Sequence, residues 1–171
     1  MPEDRERAER ALHLYATGDF HGGDLDWPPC AARIREARQR ANVSAVDAAA
    51  HSGISLPAYD DLERFDDEAF TSADLGILMS LGQPLGVSPA QLLLGGDGDG
   101  SRLSFEEISQ ALREYLEVHS VTVDRFGDEI GWDVSGLVEN AANWRTQPVE
   151  VLYLVCTRLS IDWVAALART A

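Results

Sequence analysis

The stretch YDDLERFDDE, residues 59–68, carries six carboxylates, two aromatic rings and one arginine within ten residues. Carboxylates attract cationic partners and accelerate their association, and aromatic side chains are enriched at the centres of protein interfaces. We therefore expect a protein-binding surface in this stretch; an ordinary solvated acidic surface is the alternative interpretation. The residues of the expected surface are Tyr59, Asp60, Asp61, Glu63, Phe65, Asp66, Asp67 and Glu68.

A cluster of arginines earlier in the chain favours nucleic acid instead. The segment CAARIREARQRAN, residues 30–42, has helical spacing, and its guanidinium groups could contact a phosphate backbone. Two later helix starts could add contacts to the same phosphates. Because successive helical residues turn by about 100°, the arginines also fit a solvated helix face. The candidate DNA-contacting residues are Arg33, Arg35, Arg38, Arg40, Ser44 and Ser55.

The charge of the whole chain weighs against DNA. There are 29 acidic and 14 basic residues, for a net charge of −15. Acidic residues outnumber basic ones in each of the segments 1–27, 28–95 and 96–171. Non-specific DNA affinity comes from neutralising phosphates, so this chain has a repulsive background to overcome, although a local basic patch can suffice.

Other candidates for chemistry lack the spacing that catalysis or metal binding requires. The four histidines are scattered, and Cys30 and Cys156 lie far apart, so both cysteines are interpreted as buried thiols. The segment from Asp97 to Glu107 is similar to a calcium loop, but neither register supplies the oxygen ligands. We therefore expect no enzymatic activity, no cofactor and no metal.

The distribution of apolar residues bears on location. No run of 18 apolar residues is present, and the first ten residues, MPEDRERAER, are charged where a secretory signal would be apolar. These features predict a cytoplasmic protein that does not associate with a membrane.

Helices are expected to position all of these side chains. Apolar residues at helical spacing predict a helix over residues 3–17, followed by a Gly- and Pro-rich connection to residue 29. A second helix begins at Cys30, and Ser44 and Ser55 are N-caps for two more, with Gly53 between them. Further helices are predicted within residues 71–87 and 88–94.

Residues 30–94 resemble the helix-turn-helix domain of the Xre family, the Cro and phage-repressor type. The matching signatures are IREARQRANVS, the spacing from Ala49 to Gly53, GIS, LE and LGVSPAQLL. The resemblance implies a compact five-helix domain in which Leu62 and Tyr59 pack inward and the third helix enters the major groove. Positions 56–61 of that helix are Leu, Pro, Ala, Tyr, Asp and Asp, so base-reading Arg, Asn or Gln is missing.

A second, divergent copy follows. The spacing from Ser44 to Gly53 recurs from Thr122 to Gly131, shifted by 78 residues, and LGVSPAQLL recurs as LSIDWVAAL, shifted by 74. The four-residue difference is assigned to a loop between the third and fourth helices. An all-α fold is therefore expected, with an N-terminal helix and connection at 1–27, one unit at 28–94, a flexible linker at 95–103 and a second unit at 104–171.

Three functional hypotheses follow. The first is an acidic module that binds a basic protein, such as a toxin that acts on nucleic acid; the chain would then be an immunity protein or antitoxin. The second is a DNA-binding transcription regulator, acting as a homodimer, because the family resemblance points there. The third is an adaptor whose two units bind an RNA polymerase or a phage protein.

Overall fold

The computed structural model describes residues 2–21, 23–98 and 102–168, and within these residues the chain is all-α with no β-strand. Helix bounds follow closely from the local signals in the sequence. The elements are α1 Pro2–Thr17, α2 Cys30–Arg40, α3 Ala45–Ser52, α4 Leu56–Leu62, α5 Glu68–Thr71, α6 Leu75–Leu85, α7 Pro89–Leu94, α8 Phe105–Val118, α9 Val123–Ile130, α10 Ser135–Glu139, a 3₁₀ helix Ala141–Thr146, α11 Val149–Arg158 and α12 Trp163–Leu167.

Side-chain caps and glycines define several of these ends. The Ser44 hydroxyl accepts a hydrogen bond from the Asp47 amide at 3.1 Å and caps α3. Gly53 ends α3 with a φ of 72°, a left-handed conformation that costs glycine little. Ser88 and Ser104 start α7 and α8 with reciprocal capping boxes. The helix predictions for residues 3–17 and 88–94, and for the starts after Ser44 and Ser55, are confirmed.

The helix predicted within residues 71–87 differs from the structure. The chain forms the short helix α5, then an extended residue at Asp74 with ψ of 151°, and only then α6. Residues 141–146 form a comparable turn, the 3₁₀ helix, where a loop was expected. Its first turn is held by the Asn140 side chain, which accepts a hydrogen bond from the Ala142 amide at 2.9 Å.

Both parts of the chain contribute to one continuous apolar core. Residues 30–94, here called the first half, and residues 105–168, the second half, each supply buried side chains to it. The largest are Trp144, Trp163, Tyr59, Phe70 and Phe126. Cys30 and Cys156 are buried free thiols, which confirms their interpretation from sequence.

Helix α1 contacts both halves. Its Asp4 carboxylate accepts a hydrogen bond from the Arg33 guanidinium at 2.7 Å in the first half. Its Glu9 carboxylate accepts one from the Trp163 indole N–H at 3.0 Å in the second half. The N-terminal helix therefore joins the two halves, in addition to the contacts they make directly.

The predicted linker is anchored at its described ends. On one side, the Asp97 carboxylate accepts hydrogen bonds from the Ser88 hydroxyl and from the Gln91 amide. On the other, the Leu103 amide donates to the Ala165 carbonyl at 3.1 Å. Residues 99–101, which include part of the calcium-like segment, lie outside the described residues. Among the residues that are described, no helix has the length and apolar character needed to cross a membrane.

Candidate functional site

The predicted acidic surface spans α4, the connection that follows it and the first turn of α5. Asp60 and Asp61 are exposed on α4, and Asp67 is exposed at the start of α5. Phe65 lies beyond the end of α4 with 42% of its surface exposed, as expected. The Arg64 guanidinium lies over the Phe65 ring, 5.0 Å from its centroid, so this aromatic is paired with a cation of the same chain.

Tyr59 and Glu63 do not belong to this surface. Tyr59 is fully buried, and its hydroxyl donates to the Glu63 carboxylate at 2.7 Å. The same carboxylate accepts two hydrogen bonds from the Arg38 guanidinium, at 2.6 and 3.0 Å. Only 14% of the Glu63 side chain and 17% of the Arg38 side chain are exposed. These three residues form a largely buried cluster that ties α4 to α2, because fork-shaped pairing holds both partners in one geometry.

The electrostatics of this cluster follow from its geometry. Burial opposes ionisation of Glu63, but hydrogen bonds from Arg38 and Tyr59 more than offset it, so the pKa of the Glu63 carboxyl lies below its ordinary value. Burial and the hydrogen bond to Glu63 raise the pKa of the Tyr59 hydroxyl. The Glu63 hydrogen bond raises the pKa of Arg38 against the opposing effect of burial. The cluster is a carboxylate held between a permanent cation and a neutral phenol.

Asp66 also has an internal partner. Its carboxylate accepts a hydrogen bond from the Ala31 amide at 2.9 Å, in the first turn of α2. Its backbone carbonyl accepts one from the Cys30 thiol at 2.8 Å. A carboxylate at a helix N-terminus satisfies a free amide and matches the helix dipole. Asp66 therefore anchors the connection after α4 to α2, while Glu68 is half-buried in the first turn of α5.

Of the predicted surface, the exposed members are thus Asp60, Asp61, Phe65 and Asp67, and we call these four residues the acidic face. Beside it lies a shallow depression of about 410 Å³, where Asp60 is accompanied by Arg35 and Arg64. The acidic face is therefore smaller than the sequence predicts, and its margin carries both signs of charge.

The four arginines of α2 divide into two pairs. Arg33 donates to the Asp4 carboxylate and to the Leu93 carbonyl, each at 2.7 Å, and Arg38 is held by Glu63. Arg35 and Arg40 are exposed, and Arg40 makes a long hydrogen bond of 3.4 Å to the Glu36 carbonyl. Two of the four predicted phosphate contacts are therefore occupied within the chain.

Ser44 and Ser55 act as helix caps. Besides capping α3, the Ser44 hydroxyl donates to the Asp47 carboxylate at 2.6 Å, which places a negative charge at the start of that helix. The Ser55 hydroxyl accepts a hydrogen bond from the Ala58 amide at 3.3 Å at the start of α4. A phosphate approaching α3 would meet the Asp47 carboxylate, which is unfavourable by simple Coulomb repulsion.

A second acidic surface was missed by the sequence reasoning. A depression of about 500 Å³ lies beside α9 and is lined by Trp132 together with Asp124, Asp128 and Asp133. Trp132 is 37% exposed. The 78-residue shift could have located this site, because it places Trp132 at the position of Ile54, next to Ser55. The same shift relates positions 56–61 to positions 134–139, where Val134 and Leu137 are buried.

Metal-binding geometry is missing from the described part of the chain, where no group of three or more His, Cys, Asp or Glu side chains is arranged to hold an ion. Comparison with known proteins adds no further assignment: no protein-family model, no curated protein and no solved structure matches the chain. The resemblance to the Xre family thus rests on the motifs of residues 30–94.

Proposed function

We propose that this chain is an acidic, non-enzymatic protein-binding module built from two repressor-like helix-turn-helix units in tandem. Its partner is a basic protein. A toxin that acts on nucleic acid has the required charge, and the chain would then be its immunity protein or antitoxin.

Recurring backbone geometry supports the tandem units. Left-handed conformations are uncommon for residues other than glycine, so their recurrence at fixed spacing is informative. Asn42 has a φ of 55° and Ser120, 78 residues later, has a φ of 52°. The remaining pairs at the 78- or 74-residue shift are Gly53 with Gly131, and Gly86 with Ser160.

The observation that carries the proposed partner is the charge on the outward side of α4. In a repressor-like unit this helix would face DNA, and here its exposed side chains include Asp60 and Asp61. The charge of the nearby Arg38 is already paired with Glu63 within the chain. Opposite charge on a partner would speed association with such a face.

The test is titration of the purified protein with the product of the adjacent gene by calorimetry. We expect a complex at micromolar concentration. The double variant Asp60→Asn/Asp61→Asn should weaken it about tenfold, because each of the two exposed ion pairs would contribute up to about 1 kcal/mol. The matched control is Glu6→Gln/Glu117→Gln, which removes the same charge from exposed positions on α1 and α8. Equal affinity of the two variants, or no complex at all, would count against the proposal.

The second candidate function is operator binding, and the exposure of Arg35 and Arg40 favours it. A gel shift at low salt against the upstream DNA separates the two functions. Specific binding that weakens steeply with salt, and that Arg35→Ala/Arg40→Ala abolishes, would place DNA above a protein partner.

A further inference from the structure

The two halves meet at positions that are equivalent in the tandem repeat. The shift of 74 residues that relates Leu85 to Leu159 also relates Asp74 to Pro148. Asp74 and Pro148 face each other in an isolated antiparallel bridge. Beside it, the Leu75 amide donates to the Gln147 carbonyl at 2.8 Å. Contact between a position and its own counterpart is what a two-fold axis produces.

The helix contacts between the halves are reciprocal in the same way. Helix α6 packs against the 3₁₀ helix, and its counterpart α11 packs against α5, the counterpart of the 3₁₀ helix. Helix α7 packs against its own counterpart, α12. Exchanging the two halves therefore converts the contact of α6 with the 3₁₀ helix into that of α11 with α5. The same exchange leaves the contact of α7 with α12 unchanged. Such reciprocity defines the isologous interface of a symmetric dimer.

We propose that a pseudo-two-fold axis relates the halves and that this chain is the single-chain equivalent of a symmetric dimer. The surface through which two copies of one unit would associate is already occupied inside the chain. The protein is therefore a monomer that carries two related outward helix pairs, α3–α4 and α9–α10, whose main packing partners lie within their own halves. This inference is independent of which partner the chain binds.

Cleavage of the full-length protein tests the interface. A protease recognition sequence is inserted between Asp99 and Gly100, the folded protein is cut, and its mass is followed by size-exclusion chromatography with light scattering. We expect the uncut protein to have the mass of one chain at micromolar concentration. The two cut fragments should remain together as one species of about the same mass.

A variant separates the proposed interface from the contacts of α1, which also join the fragments. A Cβ atom at Gly76 would lie 2.8 Å from the Arg145 carbonyl oxygen, a backbone atom of the other half. Gly76→Ala should therefore weaken association of the cut fragments by about tenfold or more. The matched control is Gly136→Ala, whose Cβ would lie 3.1 Å from the Asn143 side-chain nitrogen, within the second half.

The outcomes are distinct. Cut fragments that stay together, and that Gly76→Ala separates more readily than Gly136→Ala does, support the pseudo-two-fold interface. An uncut dimer, fragments that separate on cutting, or equal effects of the two variants would each overturn it. If Gly76→Ala fails to fold, the cut protein is compared with and without Asp4→Asn/Glu9→Gln, which removes the two α1 carboxylates that accept hydrogen bonds from Arg33 and Trp163. Fragments that stay together despite this change support the interface, and fragments that separate overturn it.

Discussion

Replacing Glu63 by alanine is expected to destabilise the protein by about 3 kcal/mol. The change removes the carboxylate that accepts hydrogen bonds from Arg38 and Tyr59, leaving a guanidinium with 17% exposure and a buried phenol without their partner. Loss of one member of a buried ion pair costs about 3–5 kcal/mol. We take the lower end because the two members of this pair, Arg38 and Glu63, retain 17% and 14% of their side-chain exposure. The contribution is a substantial fraction of typical domain stabilities of about 5–15 kcal/mol.

The assay is urea denaturation followed by far-ultraviolet circular dichroism. Arg38→Ala, Glu63→Ala and the double variant form a cycle in which the second substitution should cost much less than the first, since the partner is already gone. The control is Glu106→Ala, which removes the ion pair between Glu106 and Arg113. The Glu106 side chain is 71% exposed. That change should cost less than about 1 kcal/mol.

The pH dependence gives a further check on the same residue. Because the folded-state pKa of Glu63 lies below its ordinary value of 4.5, its contribution is fully present above that pH and is lost as the pH falls through the folded-state pKa. The stability gap between wild type and Glu63→Gln should therefore narrow in acid. A cost for Glu63→Ala no larger than for Glu106→Ala would refute the idea that this cluster joins α4 to α2.

Two further substitutions test buried polar groups. Ser109→Ala should lower the free energy of unfolding by about 2 kcal/mol in urea denaturation. The buried Ser109 hydroxyl donates to the Leu137 carbonyl at 2.8 Å and accepts from the Trp144 indole N–H at 3.0 Å, and both hydrogen bonds would be lost. A cost under about 0.5 kcal/mol would contradict this prediction. Glu150→Gln should be more stable than wild type at neutral pH. Burial raises the folded-state pKa of Glu150, and a hydrogen bond from Trp132 offsets only part of this effect. The wild-type protein therefore loses stability as the pH rises from the unfolded-state pKa of this carboxyl through its folded-state pKa. The stability difference between Glu150→Gln and wild type should shrink in acid. Parallel pH–stability curves for the two proteins would count against this prediction.

The sequence predicted helix starts and ends well because those signals are local. Ser44 and Gly53 mark helix α3 through groups within a few residues of themselves. The break at Asp74 was missed, since its extended backbone is held by a contact with Pro148, 74 residues away. Tertiary contacts of this kind leave no trace in a short window of sequence.

The same limit applies to the candidate site. Asp60 and Glu63 are both acids on one short segment, yet Asp60 faces solvent while Glu63 reaches Arg38, 25 residues earlier. Asp66 likewise pairs with the amide of Ala31, 35 residues earlier. Composition predicted the acidity of the stretch, and only the hydrogen bonds of Glu63 and Asp66 to α2 determine which of its carboxylates remain available to a partner.

The positions of the tryptophans allow intrinsic fluorescence to follow unfolding of one half of the protein. Trp144 and Trp163 are buried in the second half, Trp132 is partly exposed there, and Trp27 stacks on Phe70 from the connection before α2. Residues 30–94 contain no tryptophan. Indole emission during unfolding therefore follows mainly the second half, whereas ellipticity follows every helix. Two superimposable transitions would mean that the halves lose their structure together, as a shared core requires.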